Sequence, residues 1–150
     1  MVHAQMAVDV HTHIILSEYK ELLRRHGAEL EETFPLPEWE AENHISFMDS
    51  AGIGCAVLTM PAPQPYYGDG VESAACIRHV NEVAAETKEK HPGRFLFCAA
   101  LPLPDVDAAI REAIYALGTL RADGIKLATN SRGQYLGDPE LDPLMEVLNE

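Results

Sequence analysis

The sequence predicts an α/β fold in which about four parallel strands are covered by helices. Short apolar runs alternate along the chain with longer stretches whose apolar residues recur at helical spacing. The strands are apolar throughout, which is typical of a parallel sheet covered by helices. Right-handed crossovers then bring the loops that follow the strands to one edge of the sheet. Those loops begin at His11, Pro61, Pro102 and Thr129. The periodicity alone leaves a closed barrel and an open sheet as alternatives.

The first strand–helix unit is predicted close to the N-terminus. Residues Ala7 to His11 are predicted to form a strand, and Ser17 is expected to cap a helix that ends at Gly27. The acidic segment 29–42 contains two prolines and is therefore predicted to be a loop. A second amphipathic helix follows and is expected to stop at Gly52.

The remaining units repeat this pattern. Three further apolar runs are predicted to be strands: Cys55–Met60, Phe95–Leu101 and Gly124–Ala128. Between them lie two stretches with an apolar helical face, Cys76–Thr87 and Val106–Leu120. Asp142 and Pro143 are expected to begin a last helix as its N-cap and first helical residue.

Length and charge limit the classes of function. The 150 residues correspond to about one domain, and 47% apolar residues with 23% charged residues are typical of a globular protein. The chain has 24 acidic against 11 basic residues and a net charge of −13. Such a surface repels phosphate backbones and anionic lipids, so we expect no nucleic-acid or membrane partner.

Cysteine usage and the N-terminus indicate the compartment. The three cysteines, Cys55, Cys76 and Cys98, have the wrong number for a disulfide framework and lack the spacing of a zinc ribbon. The first eight residues do not resemble a signal peptide, and no uninterrupted apolar stretch is long enough to cross a bilayer. We therefore expect a cytoplasmic protein.

The sharpest chemical feature is the run Asp9-Val10-His11-Thr12-His13 at the end of the first strand. Residues two apart on a strand share a face, so His11 and His13 can direct two imidazoles at one zinc, iron or manganese ion. Alternatively, one imidazole is a core group and the other a solvated loop residue. Asp9 is expected on the same face, either orienting a histidine or, as we favour, serving as a buried hydrogen-bonded carboxylate.

Two other side chains are candidate substrate contacts. Trp39 lies in the proline-containing loop and faces either an aromatic substrate or, as we favour, the next helix. Arg132 follows the fourth strand and can bind a substrate carboxylate through two parallel hydrogen bonds. An ion pair of Arg132 with Glu140 or Asp138 is an equally good interpretation.

Two adjacent tyrosines occupy the loop after the second strand. Tyr66 and Tyr67 lie where lids and substrate contacts are common in α/β proteins. Solvent-exposed loop tyrosines are the simpler interpretation, and we favour it.

The segment DVHTHI resembles the metal-binding start of the amidohydrolase superfamily. The resemblance continues through MDSAGIGCAVLTMPAP, NEVAAETKEKHPGRFLFCAALPLPDVDAAIREA and DGIKLATNSRGQYLGDPELDPLMEVLNE, from about Val8 to Glu150. These segments are similar to the amidohydrolase-related branch, which contains aminocarboxymuconate-semialdehyde decarboxylase and aromatic-acid decarboxylases alongside hydrolases. Asn81 and Arg94 match the family pattern, and we interpret both as structural hydrogen-bonding groups.

The resemblance implies a (β/α)8 TIM-type barrel with one divalent metal, usually zinc, at the carboxyl ends of the strands. In that family the first-strand histidines are joined by a histidine of strand five, a catalytic histidine of strand six and an aspartate of strand eight. Four strands correspond to the N-terminal half of such a barrel, so no catalytic residue is assigned here. The implied activity is hydrolysis or decarboxylation of a small carboxylated, for example aromatic, compound. We expect little activity from these 150 residues by themselves.

A non-catalytic alternative follows from the same half-barrel. Two unpaired strand edges, Ala7–His11 and Gly124–Ala128, and an uncovered apolar concave face favour association. We therefore expect a homo-oligomer formed through these strand edges, with assembly rather than catalysis as the alternative function.

Overall fold

A parallel four-stranded sheet organises the protein. The computed structural model describes residues 7–28, 30–31 and 34–150. The strands of the sheet are β1 (Ala7–His13), β4 (Ile53–Thr59), β5 (Phe95–Ala100) and β6 (Gly124–Lys126), in that spatial order. Each neighbouring pair is parallel. The predicted α/β class with four parallel strands is therefore confirmed.

Helices and two short hairpins lie between these strands or follow the last of them. The helices are α1 (Ser17–Arg25), α2 (Ala41–Ala51), α3 (Gly70–Lys90), α4 (Val106–Gly118) and α5 (Asp142–Asn149). The hairpins are β2 (Leu30–Glu31) with β3 (Phe34–Pro35), and β7 (Asn130–Ser131) with β8 (Gln134–Tyr135). Among the described residues, no helix combines the length and the apolar character needed to cross a bilayer.

Both predicted N-caps are wrong, for different local reasons. Ser17 is the first residue of α1, and its hydroxyl contacts the carboxylate of Glu18 rather than a backbone amide. Asp142 is the first residue of α5 because a short 3-10 turn, Pro139–Leu141, leads directly into that helix. The side chains that cap helices are Asp69 at α3 and Asp105 at α4, which accept backbone N–H groups of the first turn.

The segment predicted to be a loop contains more structure than expected. The hairpin of β2 and β3 lies within it, and α2 begins at Ala41, inside the predicted boundary. Residues 29, 32 and 33 of this segment lie outside the described residues. Strand β1 continues to His13, two residues beyond the predicted end, which places both histidines on the strand itself.

The sheet has one covered face and one open face. Alternate residues of the two central strands, Ala56 and Leu58 of β4 with Phe95 and Phe97 of β5, are buried beneath the helices. Burial of each large apolar side chain contributes about 1.5–3 kcal/mol to folding. The intervening positions face the opposite side, which we call the inner face, and Leu96 there is 37% exposed. The sheet is thus covered on one side only within the described residues.

A buried polar network joins α3, β5 and α4. Asn81 donates to the carbonyl of Ala100 at 3.0 Å and to Glu112 at 2.8 Å, and it accepts the Ala100 N–H at 3.0 Å. The second oxygen of Glu112 accepts Nε of Arg78 at 2.7 Å. Arg94 similarly joins the carbonyl of Gly54 to Asp49. These contacts agree with the structural roles expected for Asn81 and Arg94.

Candidate active site

An irregularity in β1 determines which way its side chains point. The stretch Asp9–Thr12 is paired with Ala56–Leu58, so β1 accommodates one more residue than its neighbour. The hydroxyl of Thr12 donates to the carbonyl of Val57 at 3.0 Å and satisfies it beside this bulge. After the bulge, His13 is paired with Thr59, a residue of the inner face.

Asp9 does not share a face with the histidines, contrary to the sequence prediction. Its register partner is Ala56, which is buried beneath the helices, whereas the partner of His13 lies on the inner face. The extra residue of the bulge breaks the two-residue alternation on which the prediction depended. The Asp9 carboxylate instead accepts the backbone N–H of His11 at 3.0 Å and so stabilises the bulged backbone.

His11 and His13 lie side by side at the carboxyl end of β1. Their ring centroids are 5.2 Å apart, and the ring planes are inclined at 75°. His11 is exposed and His13 is half-buried. Two adjacent imidazoles on a rigid strand are a suitable part of a divalent metal centre.

The neighbourhood of His13 fixes its neutral tautomer. The hydroxyl of Thr59 donates its one proton to the carbonyl of Thr12 at 2.8 Å. Nδ1 of His13 lies 2.9 Å from the same hydroxyl oxygen, so we assign this nitrogen as the donor. Nε2 then carries the ring's lone pair, as in metal-binding histidines whose other N–H is held by a neighbour.

The described residues supply only part of a metal centre. Within them, no group of three His, Cys, Asp or Glu side chains is placed to hold a metal ion. Catalytic zinc sites commonly have three protein ligands and an open position. His11 and His13 therefore fit as two ligands of such a centre.

Trp39 packs against the helix that follows it. Its indole N–H donates to Nδ1 of His44 at 3.1 Å, and the two rings are nearly perpendicular. His44 also packs edge-on against Phe95 in the core. Burial lowers the pKa of His44, and the charge of Asp9 opposes this shift. Trp39 therefore packs against α2, which is the interpretation favoured from the sequence.

A cavity of about 350 Å³ lies at the same edge of the sheet, between the loop that follows β4 and the β7–β8 hairpin. We call it the loop cavity. Its lining includes Tyr66, Tyr67, Lys126, Asn130 and Arg132. Burial raises the pKa of Tyr67, and the nearby charge of Arg132 opposes this shift. The Tyr67 hydroxyl is buried, with no hydrogen-bond partner among the described residues.

Arg132 is held over this cavity by the hairpin turn. Its φ is +57° and that of Gly133 is +86°, as required in a two-residue hairpin turn whose central residues both have positive φ. The guanidinium donates to the carbonyl of Tyr66 at 3.0 Å and lies 5.4 Å from the centre of that ring.

Neither ion pair considered for Arg132 is present within residues 34–150. The carboxylate of Glu140 accepts from Gln134 instead. The carboxylate of Asp138 accepts the backbone N–H of Tyr135. Arg132 therefore contacts the opposite loop rather than its own.

Sequence reasoning missed two polar groups of this region, Lys126 and Thr59. Lys126 is paired with Ala100 on the inner face, and its ammonium donates to the carbonyl of Met60 at 2.8 Å. Thr59 holds the ring of His13. Each is a lone polar residue within an otherwise apolar run, and this is the signal that could have identified both.

Comparison with known proteins places the chain in a family. A family model described as amidohydrolase matches residues 8–150. The chain belongs to the amidohydrolase family. The resemblance inferred from DVHTHI and the later segments is thereby confirmed.

Similar curated proteins are decarboxylases. The chain is 42% identical over 149 residues to decarboxylase yanB of Aspergillus niger. This match covers 95% of this chain and 40% of that protein. It is 31% identical over 146 residues to 6-methylsalicylic acid decarboxylase of Penicillium expansum, with 95% and 45% coverage. The chain spans less than half the length of these two relatives.

Solved structures of this family share the fold. A crystal structure described as amidohydrolase II superposes with a TM-score of 0.90 at 29% identity, covering 95% of this chain and 47% of that one. A 5-carboxyvanillate decarboxylase of Novosphingobium aromaticivorans has a TM-score of 0.81 at 20% identity, with 97% and 48% coverage, and contains bound manganese and 3-methoxy-4-hydroxy-5-nitrobenzoic acid. The four strand–helix units thus correspond to about half of a TIM-type barrel, as predicted.

Proposed function

We propose that this amidohydrolase-family chain forms part of a metal-dependent carboxy-lyase that removes the carboxyl group of a small aromatic acid. The pair of imidazoles on the inner face, with the His13 tautomer fixed by Thr59, carries this proposal. Decarboxylation is chosen over hydrolysis because the curated relatives described above are decarboxylases, one of them acting on 6-methylsalicylic acid.

His11 and His13 would hold the divalent ion. Zinc is the metal expected from the family resemblance, whereas the carboxyvanillate decarboxylase contains manganese. When bound, such an ion supplies a Lewis acid that polarises a substrate oxygen. Thr59 keeps Nδ1 of His13 protonated, and Asp9 holds the backbone of His11, so both imidazoles are oriented before the metal arrives.

Two imidazoles do not complete the ligand set of a catalytic centre. We therefore expect the 150-residue chain to bind the metal and an aromatic acid but to release little carbon dioxide by itself. Efficient turnover would need the further ligands and the general base that the family resemblance assigns to later strands.

Metal titration of the chelator-treated chain tests the proposal. We expect one Mn²⁺ or Zn²⁺ ion per chain, and we expect His11→Ala and His13→Ala each to weaken its binding about 10- to 100-fold. His79→Ala, on the surface of α3, is the matched control and should bind as the wild type does. Equal affinity of the wild type and His11→Ala would exclude a metal role for this pair.

A non-catalytic assembly function is the second candidate. Val8 and Val10 of β1 are 55% and 72% exposed, and among the described residues β1 pairs only with β4. An open strand edge with exposed valines favours pairing with a second copy. Light scattering tests this candidate, and a monomer at concentrations well above micromolar would contradict it.

A further inference from the structure

The loop cavity has an unusual charge for this chain. The whole sequence carries 24 acidic and 11 basic residues. Yet the residues that line the cavity include Lys126 and Arg132 and, within the described part of the chain, no Asp or Glu. In an acidic protein, a concave site whose described lining contains cationic but no acidic side chains attracts and concentrates anions.

The cationic groups are positioned rather than loosely placed. The Arg132 guanidinium has five N–H donors and uses one of its nitrogens to contact the carbonyl of Tyr66. Ser131 of the same hairpin donates to Gln64 at 3.0 Å, which joins the hairpin to the loop opposite. Both walls of the cavity are thus fixed relative to each other before a ligand enters.

The backbone at Arg132 is a second observation. Gly and Asn are the residues most often found at a φ near its value of +57°, because the Cβ atom of most other residues crowds the backbone there. The two-residue turn imposes this conformation on Arg132 and so determines the direction in which its side chain leaves the hairpin. The turn directs a long cationic side chain to the cavity, as its contact with Tyr66 demonstrates.

The walls of the loop cavity include tyrosine rings, and its volume is suitable for a small molecule. Tyr67 is stacked on His26 with ring centroids 4.4 Å apart and planes inclined at 9°, so its ring is held in place. Its buried hydroxyl lacks a partner among the described residues, and a polar ligand atom that reached it would satisfy it. A volume of about 350 Å³ lies within the range of small-molecule pockets.

We propose that the loop cavity is an anion subsite that binds an aromatic carboxylate, with Arg132 as its principal anchor and Lys126 as the second cation. The inference deepens the proposed function and rests on it for the identity of the acid. The loop that forms one wall begins directly after β4, whose Thr59 holds His13, so the subsite and the histidine pair share one edge of the sheet. The subsite would bind the acid in preference to the uncharged phenol that decarboxylation leaves.

Calorimetric titration of the 150-residue chain in the presence of a chelator tests the subsite. The probe is 6-methylsalicylate, and the comparison ligand is 3-methylphenol, which differs by the lost carboxyl group. We expect the acid to bind at least tenfold more tightly than the phenol. We expect Arg132→Asn to weaken binding of the acid about 10- to 100-fold, since it removes a charged hydrogen-bond donor.

The chain supplies a matched control for this variant. Arg121 is also an arginine with a φ of +57°, and it lies outside the cavity lining. Arg121→Asn makes the same change of charge and relieves the same backbone strain, so it should leave binding of the acid within about twofold of the wild type. Thermal unfolding of both variants verifies that each is folded.

Three results would overturn the subsite: no binding of the acid, equal weakening by the two variants, or competition by inorganic phosphate as strong as by the acid. The last result would identify a general anion site instead. Because the titration excludes metal, it is independent of His11 and His13. If the chain binds metal but not the acid, the subsite alone is rejected. If it binds the acid but not metal, the proposed function alone is rejected.

Discussion

A single hydroxyl proton decides which nitrogen of His13 can bind a metal. Thr59 gives that proton to the carbonyl of Thr12 and therefore accepts one from Nδ1 of the imidazole. The arrangement needs only a polar residue at one position of an apolar strand. Its effect on the proposed metal centre would be indirect, because Thr59 would orient the ligand without touching the ion.

We expect Thr59→Val to weaken Mn²⁺ or Zn²⁺ binding about 10- to 100-fold, because the ring loses the acceptor that holds its tautomer. Thr59→Ser retains the hydroxyl and should restore most of the affinity. Thr119→Val, at an exposed position after α4, is the control for the substitution itself. Calorimetric metal titration measures all three, and unchanged affinity in Thr59→Val would contradict the assigned tautomer.

His44 makes folding depend on pH. Burial lowers its pKa below the ordinary value of 6.5, and its Nδ1 accepts the indole N–H of Trp39 only while unprotonated. The unfolded chain therefore binds the proton more readily than the folded chain does. The contribution of His44 to stability is complete above pH 6.5 and is lost as the pH falls through the lower, folded pKa.

The variant that isolates this effect is His44→Gln, whose amide oxygen can still accept from Trp39. Between pH 7 and pH 5 the wild type should lose more thermal stability than His44→Gln, because the variant lacks the titrating group. His79→Gln, on the surface of α3, is the comparison. Parallel melting curves of the wild type and His44→Gln across this range would show that His44 is not responsible.

Among the secondary-structure elements, α3, β5 and α4 are joined by the buried side-chain amide of Asn81. Asn81 of α3 completes the hydrogen bonds of Ala100 at the end of β5 and those of Glu112 on α4. An apolar side chain could not replace it, because its partners are both backbone groups of Ala100 and the buried carboxylate of Glu112. The network therefore sets the position of α3 and α4 against the sheet.

Asn81→Ala should lower the free energy of unfolding by about 3 kcal/mol, because it leaves buried backbone groups and a carboxylate without partners. Asn43→Ala is the matched control on the exposed face of α2 and should change it by less than about 0.5 kcal/mol. Urea denaturation followed by circular dichroism measures both. Equal unfolding midpoints of Asn81→Ala and the wild type would indicate that water takes over the hydrogen bonds of the amide.

The order and type of the main elements could be predicted from sequence, whereas local geometry at their ends could not. Apolar runs and helical spacing identified the four strands of the sheet and the long α3, since burial beneath helices determines both patterns. The bulge at Asp9–Thr12 leaves no trace in residue type, so the face of Asp9 was predicted wrongly. The caps at Ser17 and Asp142 failed because adjacent side chains and turns compete for the same groups.

The candidate site was predicted in part, for the same physical reason. His11 and His13 are informative by type and spacing, and they do lie together. The partnership of Arg132 with Tyr66 joins residues far apart in sequence, and no local pattern encodes it. Lys126 and Thr59 were visible only as polar exceptions in apolar runs.

For the whole molecule, we expect association to depend on the open inner face and on the edge of β1 that lacks a neighbouring strand among the described residues. We expect exposed valines on an edge that is unpaired among the described residues to favour contact with a second copy, and the net charge of −13 to oppose it. Salt screens the repulsion more than it affects the apolar contact. Self-association should therefore strengthen as salt is added.

We expect Val10→Lys to reduce self-association of the chain, because a charge on the edge strand opposes pairing. Val71→Lys is the matched control, since Val71 is 82% exposed at the start of α3, away from the strand edges. Light scattering at low and high salt distinguishes the two variants. An identical response of both would exclude the β1 edge as the contact.

The bulge in β1 has a consequence for the charge of any ion bound there. By turning Asp9 to the helix side, it leaves two neutral imidazoles as the contribution of this strand to the metal. Because the imidazoles carry no negative charge, they would not neutralise either of the two positive charges of a divalent cation. The two imidazoles would therefore not weaken the attraction between the ion and an acid that approaches the open face.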